Sequence, residues 1–283
     1  MKVEATRGLV RLLKEEGVGL VSTFPTCHIN NAIGEEGGIR LFMVRDERYA
    51  VAVADGYSRV MDGRDFGVCT FMGGVNAAGA QMAYGALAQA YEDSVPLLCL
   101  TEGVPPEAKG RERFSIEDGF RSVTKWSGYI NRAERVPEYV RRAYTHLRTG
   151  RPSPVMLQVP RVLGDYDTDA YPYKPVQGWR SMGDPGDVEK AVKAVRAAKS
   201  PLLFAGQGVF SADACSELKA FAELAQLPVL TTLKAKSAFP EDHELSLGVR
   251  GEPAERFLKK ADVVLAVGVG FTPSGFMHGI PDA

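Results

Sequence analysis

The sequence predicts an α/β protein made of two doubly wound, mostly parallel sheet domains. Three observations predict it. Short apolar runs alternate with longer stretches whose apolar residues recur at helical spacing. The short runs are apolar almost throughout, as strands covered by helices on both faces must be. The alternation breaks once, after residue 160, and then resumes.

The elements follow in order. Val3, Leu9, Leu12 and Leu13 mark a first helix that Gly17 stops, and a strand runs from Val18 to Phe24, ending at Pro25. A helical segment covers 27–36, a strand 39–44, and a long helix 46–61. The strand 66–70 leads through the Gly-rich turn at Gly73-Gly74-Val75 into an Ala-rich helix that ends near Asp93. The strand 96–101, a segment at 122–127, the helix 137–148 and the strand 154–159 complete the first domain. Residues 161–183 are rich in Asp, Pro, Gly and Tyr and read as a linker. Beyond them, helices at 187–198, 212–225 and 252–260 alternate with strands at 202–205, 229–232 and 263–268. The division is thus 1–160, linker 161–183, and 184–283. The second domain is small for its class and is expected to lack a final element.

Composition narrows the function classes. The chain has 283 residues, which suggests two domains at about 100–200 residues each. Apolar residues make up 45% and charged residues 24%, so a sizeable core is expected and a disordered chain is excluded. A net charge of −1 gives no footprint for nucleic acid and no basic membrane patch. No uncharged apolar run approaches the roughly 20 residues of a membrane span. MKVEATRGLV lacks the apolar core of a signal peptide. Cys27, Cys69, Cys99 and Cys215 form no C-x-x-C pair and read as reduced, packed thiols, so the expected location is the cytoplasm.

Several chemistries lack their motif. There is no phosphate-binding G-x-x-x-x-G-K-[ST], no H-E-x-x-H or clustered His/Cys for zinc, and no G-x-S-x-G. No metal ligand is therefore assigned. Gly206-Gln207-Gly208 after a strand opens like a dinucleotide fingerprint but lacks the third Gly, so a tight turn and a nucleotide site both remain open. Arg45-Asp46-Glu47-Arg48-Tyr49-Ala50 runs on to Ala54-Asp55-Gly56-Tyr57-Ser58-Arg59. Glu47 sits at a strand-to-helix junction, where parallel sheets open onto a crevice. An acid stabilised by the helix dipole is the plainer reading of that position.

This segment closely resembles the R-H-E-x-x-A…A-D-G-Y-A-R of thiamine-diphosphate-dependent enzymes of the acetolactate synthase and 2-oxoacid decarboxylase type. Other segments agree in order. Glu15-Glu16-Gly17-Val18…Phe24-Pro25 is similar to the family's opening, Ala88-Gln89-Ala90-Tyr91…Asp93-Ser94-Val95-Pro96 to its A-x-A-Y-x-D-S-x-P, Thr124-Lys125-Trp126 to its T-K-W, and Gly150-Arg151-Pro152-Ser153-Pro154-Val155 to its G-R-P-G-P-V. Ala205-Gly206-Gln207-Gly208, Pro228–Thr232, Phe239–His243 and Ala261–Leu265 extend the likeness over essentially the whole chain.

The resemblance implies a pyrimidine-binding domain (1–160) and part of a central domain (184–283). The family's third domain, whose G-D-G…N loop holds Mg²⁺ and the diphosphate, has no match here. A fragment, or one subunit of a split enzyme, is therefore expected. Glu47 would be the catalytic carboxyl, bonded to the cofactor's aminopyrimidine ring. Pro25, Ala77 and Gly79 would help bind thiamine diphosphate. The implied reaction is decarboxylation of a 2-oxoacid, carboligation, or both, as in a lyase or transferase. Active sites in this family form between chains, so a homo-oligomer, or a hetero-oligomer with a diphosphate-binding subunit, is implied. The helix faces at 50–57 and 83–91 are candidate contacts, although their Ala and Tyr could equally pack inside.

Departures fall on the substrate side. Asp46 replaces the usual His, Ala77-Ala78-Gly79 the usual G-P-G, and Pro25-Thr26 the usual Pro-Gly. Ser115 follows Phe114 where a Gln is common. Thr26, Cys27, His28, Asn76 and Phe114 are thus the candidate substrate-pocket residues. His28 suits proton transfer or a helix start, and Cys27 a pocket wall or plain packing. FAD remains open at 206–208 and 231–233. A non-catalytic partner of the same fold, and a nucleotide-binding dehydrogenase, are the competing readings.

Overall fold

The computed structural model describes residues 1–25, 27–61, 64–73, 77–104 and 114–271. They form two compact units, Met1–Ser181 and Met182–Ala283.

The first unit runs β1 (Lys2–Glu4), α1 (Ala5–Glu15), β2 (Leu20–Thr23), α2 (Ile29–Glu36), β3 (Arg40–Met43), α3 (Glu47–Met61), β4 (Gly67–Phe71) and α4 (Ala77–Glu92). It continues β5 (Leu97–Gly103), α5 (Ile116–Phe120), β6 (Trp126–Tyr129), α6 (Val136–Arg148), β7 (Val155–Pro160) and β8 (Asp165–Asp167). Six strands form one parallel sheet in the order β3-β2-β4-β5-β7-β6. Strands β4, β5 and β7 are buried along their whole length, which explains their mostly apolar sequences. Edge strand β3 leaves Arg40, Phe42 and Met43 exposed.

Two apolar clusters cover the two faces. Leu9, Leu13, Ile29, Ile33 and Val140 from α1, α2 and α6 pack with strand residues on one side. Ala50, Val51, Ala54, Ala83, Leu87 and Phe120 from α3, α4 and α5 do so on the other. Small alanines let α3 and α4 approach the sheet and each other closely. The order in which strands are added switches sides at β2: β3 lies on one side of it and β4 on the other. The turn after β2 leads to α2 on one face, and the turn after β4 leads to α4 on the other. The two connections diverge and leave a crevice at the carboxyl ends of these strands, where open parallel sheets bind ligands.

The first domain differs from expectation at its margins. Val3 belongs to β1, which pairs antiparallel with β8 through Val3↔Tyr166, and the first helix begins at Ala5 with Glu4 as its cap. Residues 161–181 therefore belong with the first unit, although their composition reads as a linker. Tyr173 and Val176 pack against its core. The segment expected at 122–127 forms its strand at Trp126–Tyr129, and helix α5 was not expected.

The second unit runs α7 (Pro185–Ala197), β9 (Pro201–Ala205), α8 (Gly208–Ser211), α9 (Cys215–Ala225), β10 (Val229–Thr231), α10 (Glu252–Lys260) and β11 (Val263–Val267). Its three strands form a parallel sheet in the order β10-β9-β11. Both units are α/β with parallel sheets, as the alternation of apolar runs predicts. No helix among the described residues is long and apolar enough to cross a membrane.

Candidate functional site

The crevice is built from four consecutive strand ends. Pro25, Cys27 and His28 follow β2, Glu47 opens α3 after β3, Gly73 follows β4, and Glu102 ends β5. These are the positions at which a parallel sheet presents side chains to a ligand.

Glu47 is only 7% exposed, yet it begins a helix. Its carboxyl lies against the first turn of α4: a Cβ built on Gly79 would fall 2.7 Å from Glu47 Oε1 and 2.9 Å from Met72 Cβ. Only glycine lets the carboxyl sit there. Among the described residues the carboxyl accepts no hydrogen bond and pairs with no cation. A covered carboxyl at the mouth of a crevice is placed to meet a ligand that enters it.

A second polar group lies nearby in sheet order. His28 Nδ1 and the His28 backbone N–H each lie 3.2 Å from Glu102 Oε1, and Arg161 Nη2 lies 3.3 Å from the same oxygen. Burial pushes the Glu102 carboxyl up, but the bonds from His28 and Arg161 outweigh it and hold it below its ordinary value. Burial pushes the Cys27 thiol up to about 12, so Cys27 is a neutral thiol at physiological pH. Cys27, His28 and Arg161 line a cavity of about 450 Å³ with Pro25, Glu4, Thr6, Arg7 and Glu35.

The structure thus brings Glu47 to Gly79, and Pro25, Cys27 and His28 to one cavity. Ala77 is partly buried at the start of α4, two residues before Gly79. Phe114 is not among the residues that line this cavity. Its ring leans on Gly119 and packs with the cluster around Phe120. Thr26 and Asn76 lie outside the described residues. Sequence reasoning missed Glu102 and Arg161. Glu102 could have been found, because an acid at the carboxyl end of the apolar run Leu97–Thr101 has to meet a partner there.

Most of the remaining motif residues hold the scaffold. Ser58 Oγ donates to the Pro96 carbonyl at 2.5 Å and accepts from Gly67 N–H at 2.8 Å. Arg59 bridges Asp55 at 2.9 Å and Asp93 at 2.7 Å, tying the A-D-G-Y-S-R helix to the Y-x-D-S turn. Lys125 Nζ donates to the carbonyls of His146, Thr149 and Arg151, joining T-K-W to the G-R-P segment. In the second unit a Cβ on Gly206 would fall 2.3 Å from the Gly268 carbonyl oxygen, and one on Gly208 would fall 2.7 Å from Gly268 Cα. These glycines are used for a backbone crossing between the ends of β9 and β11, which accounts for them without a nucleotide.

Comparison with known proteins agrees with this layout. Residues 3–122 match the thiamine pyrophosphate enzyme N-terminal TPP-binding domain, and residues 188–280 match the thiamine pyrophosphate enzyme central domain. The chain is 31% identical to the probable acetolactate synthase large subunit of Methanocaldococcus jannaschii, over 95% of this chain and 48% of that protein. It is 33% identical to the glyoxylate carboligase of Escherichia coli O157:H7, over 95% and 47% respectively. The figures for the acetolactate synthase large subunit of Corynebacterium glutamicum are 33%, 95% and 45%. The chain spans about half the length of the curated relatives it matches. Two domain patterns in the same order, over a sheet whose crevice holds the matching glutamate, show that the chain belongs to the thiamine pyrophosphate enzyme family and carries its N-terminal TPP-binding and central domains.

Proposed function

We propose that this chain supplies the pyrimidine-binding half of an enzyme that uses thiamine diphosphate to decarboxylate a 2-oxoacid, to join it to a second carbonyl compound, or both. Relatives named acetolactate synthase and glyoxylate carboligase support that substrate class. The observation that carries the reading is the buried Glu47 carboxyl, seated against Gly79 at the crevice.

The residues present fit the cofactor's aminopyrimidine ring. Gly79 leaves room beside the carboxyl, and Pro25 and Ala77 stand at the openings of the two diverging turns. When bound, the cofactor supplies a carbon nucleophile and an electron sink for the bond to CO₂. Glu47 would share a proton with a ring nitrogen. Its burial keeps water from competing for that hydrogen bond, which strengthens it. Asp at this position would be one methylene short, and Gln would hold no transferable proton. Cys27 and His28 would face the substrate side. Mg²⁺ and the diphosphate would be held by a domain of G-D-G…N type, from the rest of the protein or from another chain. Assembly would follow from that division. Tyr49, Met82 and Tyr91 are exposed on α3 and α4, whose alanines pack inward, and they form the contact face we assign to a second chain. A cytoplasmic enzyme fits the four reduced cysteines.

The test mixes the chain with Mg²⁺, thiamine diphosphate and a diphosphate-domain partner and follows CO₂ release from pyruvate and from glyoxylate. Glu47→Gln is expected to lower the rate by about 100-fold or more, the usual scale for a lost proton-transfer group. An unchanged rate would overturn the assignment.

A further inference from the structure

We infer that His28 and Glu102 form an acid–base dyad of the substrate pocket, in which Glu102 holds His28 by its Nδ1–H and leaves Nε2 to exchange a proton with a substrate oxygen. The inference rests on the 2-oxoacid reading above for its substrate, but its geometry is independent of Glu47.

Three observations carry it. First, His28 Nδ1 lies 3.2 Å from Glu102 Oε1, and the His28 backbone N–H donates to the same oxygen at 3.2 Å. The double contact fixes the residue and its ring together. A carboxylate facing Nδ1 favours the tautomer with the proton on that atom. Second, Nε2 is buried and has no hydrogen-bond partner among the described residues. Leaving a buried nitrogen unpaired costs about 1–3 kcal/mol, a penalty a bound ligand would remove. Third, both side chains are about nine-tenths buried, at 10% and 8% exposure, and stand at the carboxyl ends of β2 and β5, which flank β4. This places the pair in the same crevice as Glu47.

The proton path is short. Nε2, unprotonated at rest, takes a proton from solvent, passes it to the substrate's carbonyl oxygen as that oxygen gains negative charge, and takes it back when the carbonyl re-forms, after which the proton returns to solvent and the ring is regenerated. The Nδ1–H stays on the ring throughout, bonded to Glu102. While both nitrogens carry protons, the Glu102 carboxylate balances the ring's charge. The other charged groups facing the pair are Arg161, whose guanidinium is mostly exposed, and Glu4, Arg7 and Glu35 at the cavity wall. Glu102 acts through His28 and is a positioning residue.

Cys27, His28 and Glu102 also offer three ligand atoms within 4.8 Å of one another, a spacing open to a metal ion. Two features favour the dyad. Cys27 is held as a neutral thiol, a poor ligand, and Arg161 already sets a cation 3.3 Å from the carboxylate.

The test uses the full chain, ¹⁵N-labelled, with long-range ¹H–¹⁵N spectra of its four imidazoles. The signal absent from His28→Asn identifies His28. The expected result, recorded at a pH high enough to keep the ring neutral, is protonation at Nδ1, shifting toward the Nε2–H form in Glu102→Gln. In the reconstituted assay, Glu102→Gln is expected to lower kcat about tenfold with KM nearly unchanged, within the range of acid–base contributions. A wild-type ring protonated at Nε2, or a ring unmoved by Glu102→Gln, would overturn the dyad. So would stoichiometric Zn²⁺ uptake that shifts the His28 and Cys27 signals together. Glu47→Gln separates the two readings. If that variant keeps full activity the cofactor assignment fails, while the ring spectra still decide the dyad.

Discussion

Glu16 and Glu47 are buried to nearly the same degree, at 6% and 7% exposure, in the same unit. Their surroundings are opposite. Glu16 accepts from Arg148, from the Tyr173 hydroxyl and from the Val176 backbone N–H at 3.1 Å, so every feature of its carboxylate is answered. It clamps the segment after β8 onto the end of α1. Burial, together with the hydrogen bond to Glu16, raises the Tyr173 hydroxyl well above its ordinary value, so the clamp keeps its proton at neutral pH. Glu47 has no such partner among the described residues. Burial alone therefore does not mark a functional acid. The distinguishing property is whether the fold itself answers the charge.

The sharpest way to break this comparison is to neutralise each carboxyl. Glu16→Gln leaves the Arg148 guanidinium half-answered in a covered site. Breaking such a pair costs about 3–5 kcal/mol, so this variant should show the largest loss in chemical denaturation. Glu47→Gln keeps the shape of a side chain that bonds to no other described residue and should change stability by less than about 1 kcal/mol. Equal losses at the two positions would mean that Glu47 is structural after all.

Gly79 sharpens the same contrast at the site. Gly79→Ala brings a methyl to 2.7 Å from Glu47 Oε1 and 2.9 Å from Met72 Cβ. Overpacking of this kind costs about 1–3 kcal/mol. In a Glu47→Ala background the first clash vanishes and the second stays. A double-mutant cycle by urea unfolding should then show part, but not all, of the cost relieved. No coupling between the two positions would mean that the carboxyl does not lie over the glycine.

Much of this was legible in the sequence, for physical reasons. A strand buried on both faces has little choice but to be mostly apolar, so β4, β5 and β7 announced themselves. Helices α1 and α6 carry apolar stripes. Glu47 is singled out by its place in the R-D-E-x-x-A…A-D-G-Y-S-R resemblance, whereas its position at a helix start reads more plainly as an acid on the helix dipole. The misses share one cause, long sequence separation. Strand β1 exists only because Lys2–Glu4 meets Asp165–Asp167, and three residues carry no period of their own. The same distance hid the docking of 165–176, whose Tyr, Pro and Asp look like linker composition until Glu16 and Arg148 are placed beside them. His28 was readable as a candidate, but its partner Glu102 lies 74 positions away and only the sheet order brings them together. Phe114 was placed in the pocket by its neighbour in the family pattern, and packing against Gly119 gives it another use.

Glu36 tests the comparison at its mildest. Its side chain is 8% exposed, and it accepts from Arg11 Nε at 2.8 Å and Arg7 Nε at 2.7 Å. Those bonds, Arg11's foremost, hold the carboxyl down at about 2 despite the opposing effect of burial. A group whose folded value is depressed stabilises the protein above its unfolded value. That stability is present above pH 4.5 and is lost as pH falls from there towards 2. Arg7 and Arg11 remain partly exposed, so water screens the pairs and the effect should stay under about 1 kcal/mol. Glu36→Gln should therefore be slightly less stable than wild type at neutral pH and should converge on it near pH 2, measured by urea unfolding at each pH. A gap of constant size across that range would mean that the amide is tolerated badly for its shape and that charge is not the cause. An answered carboxylate at the rim would then weigh no more than a neutral one, and only the covered pair at Glu16 would keep its place in the contrast with Glu47.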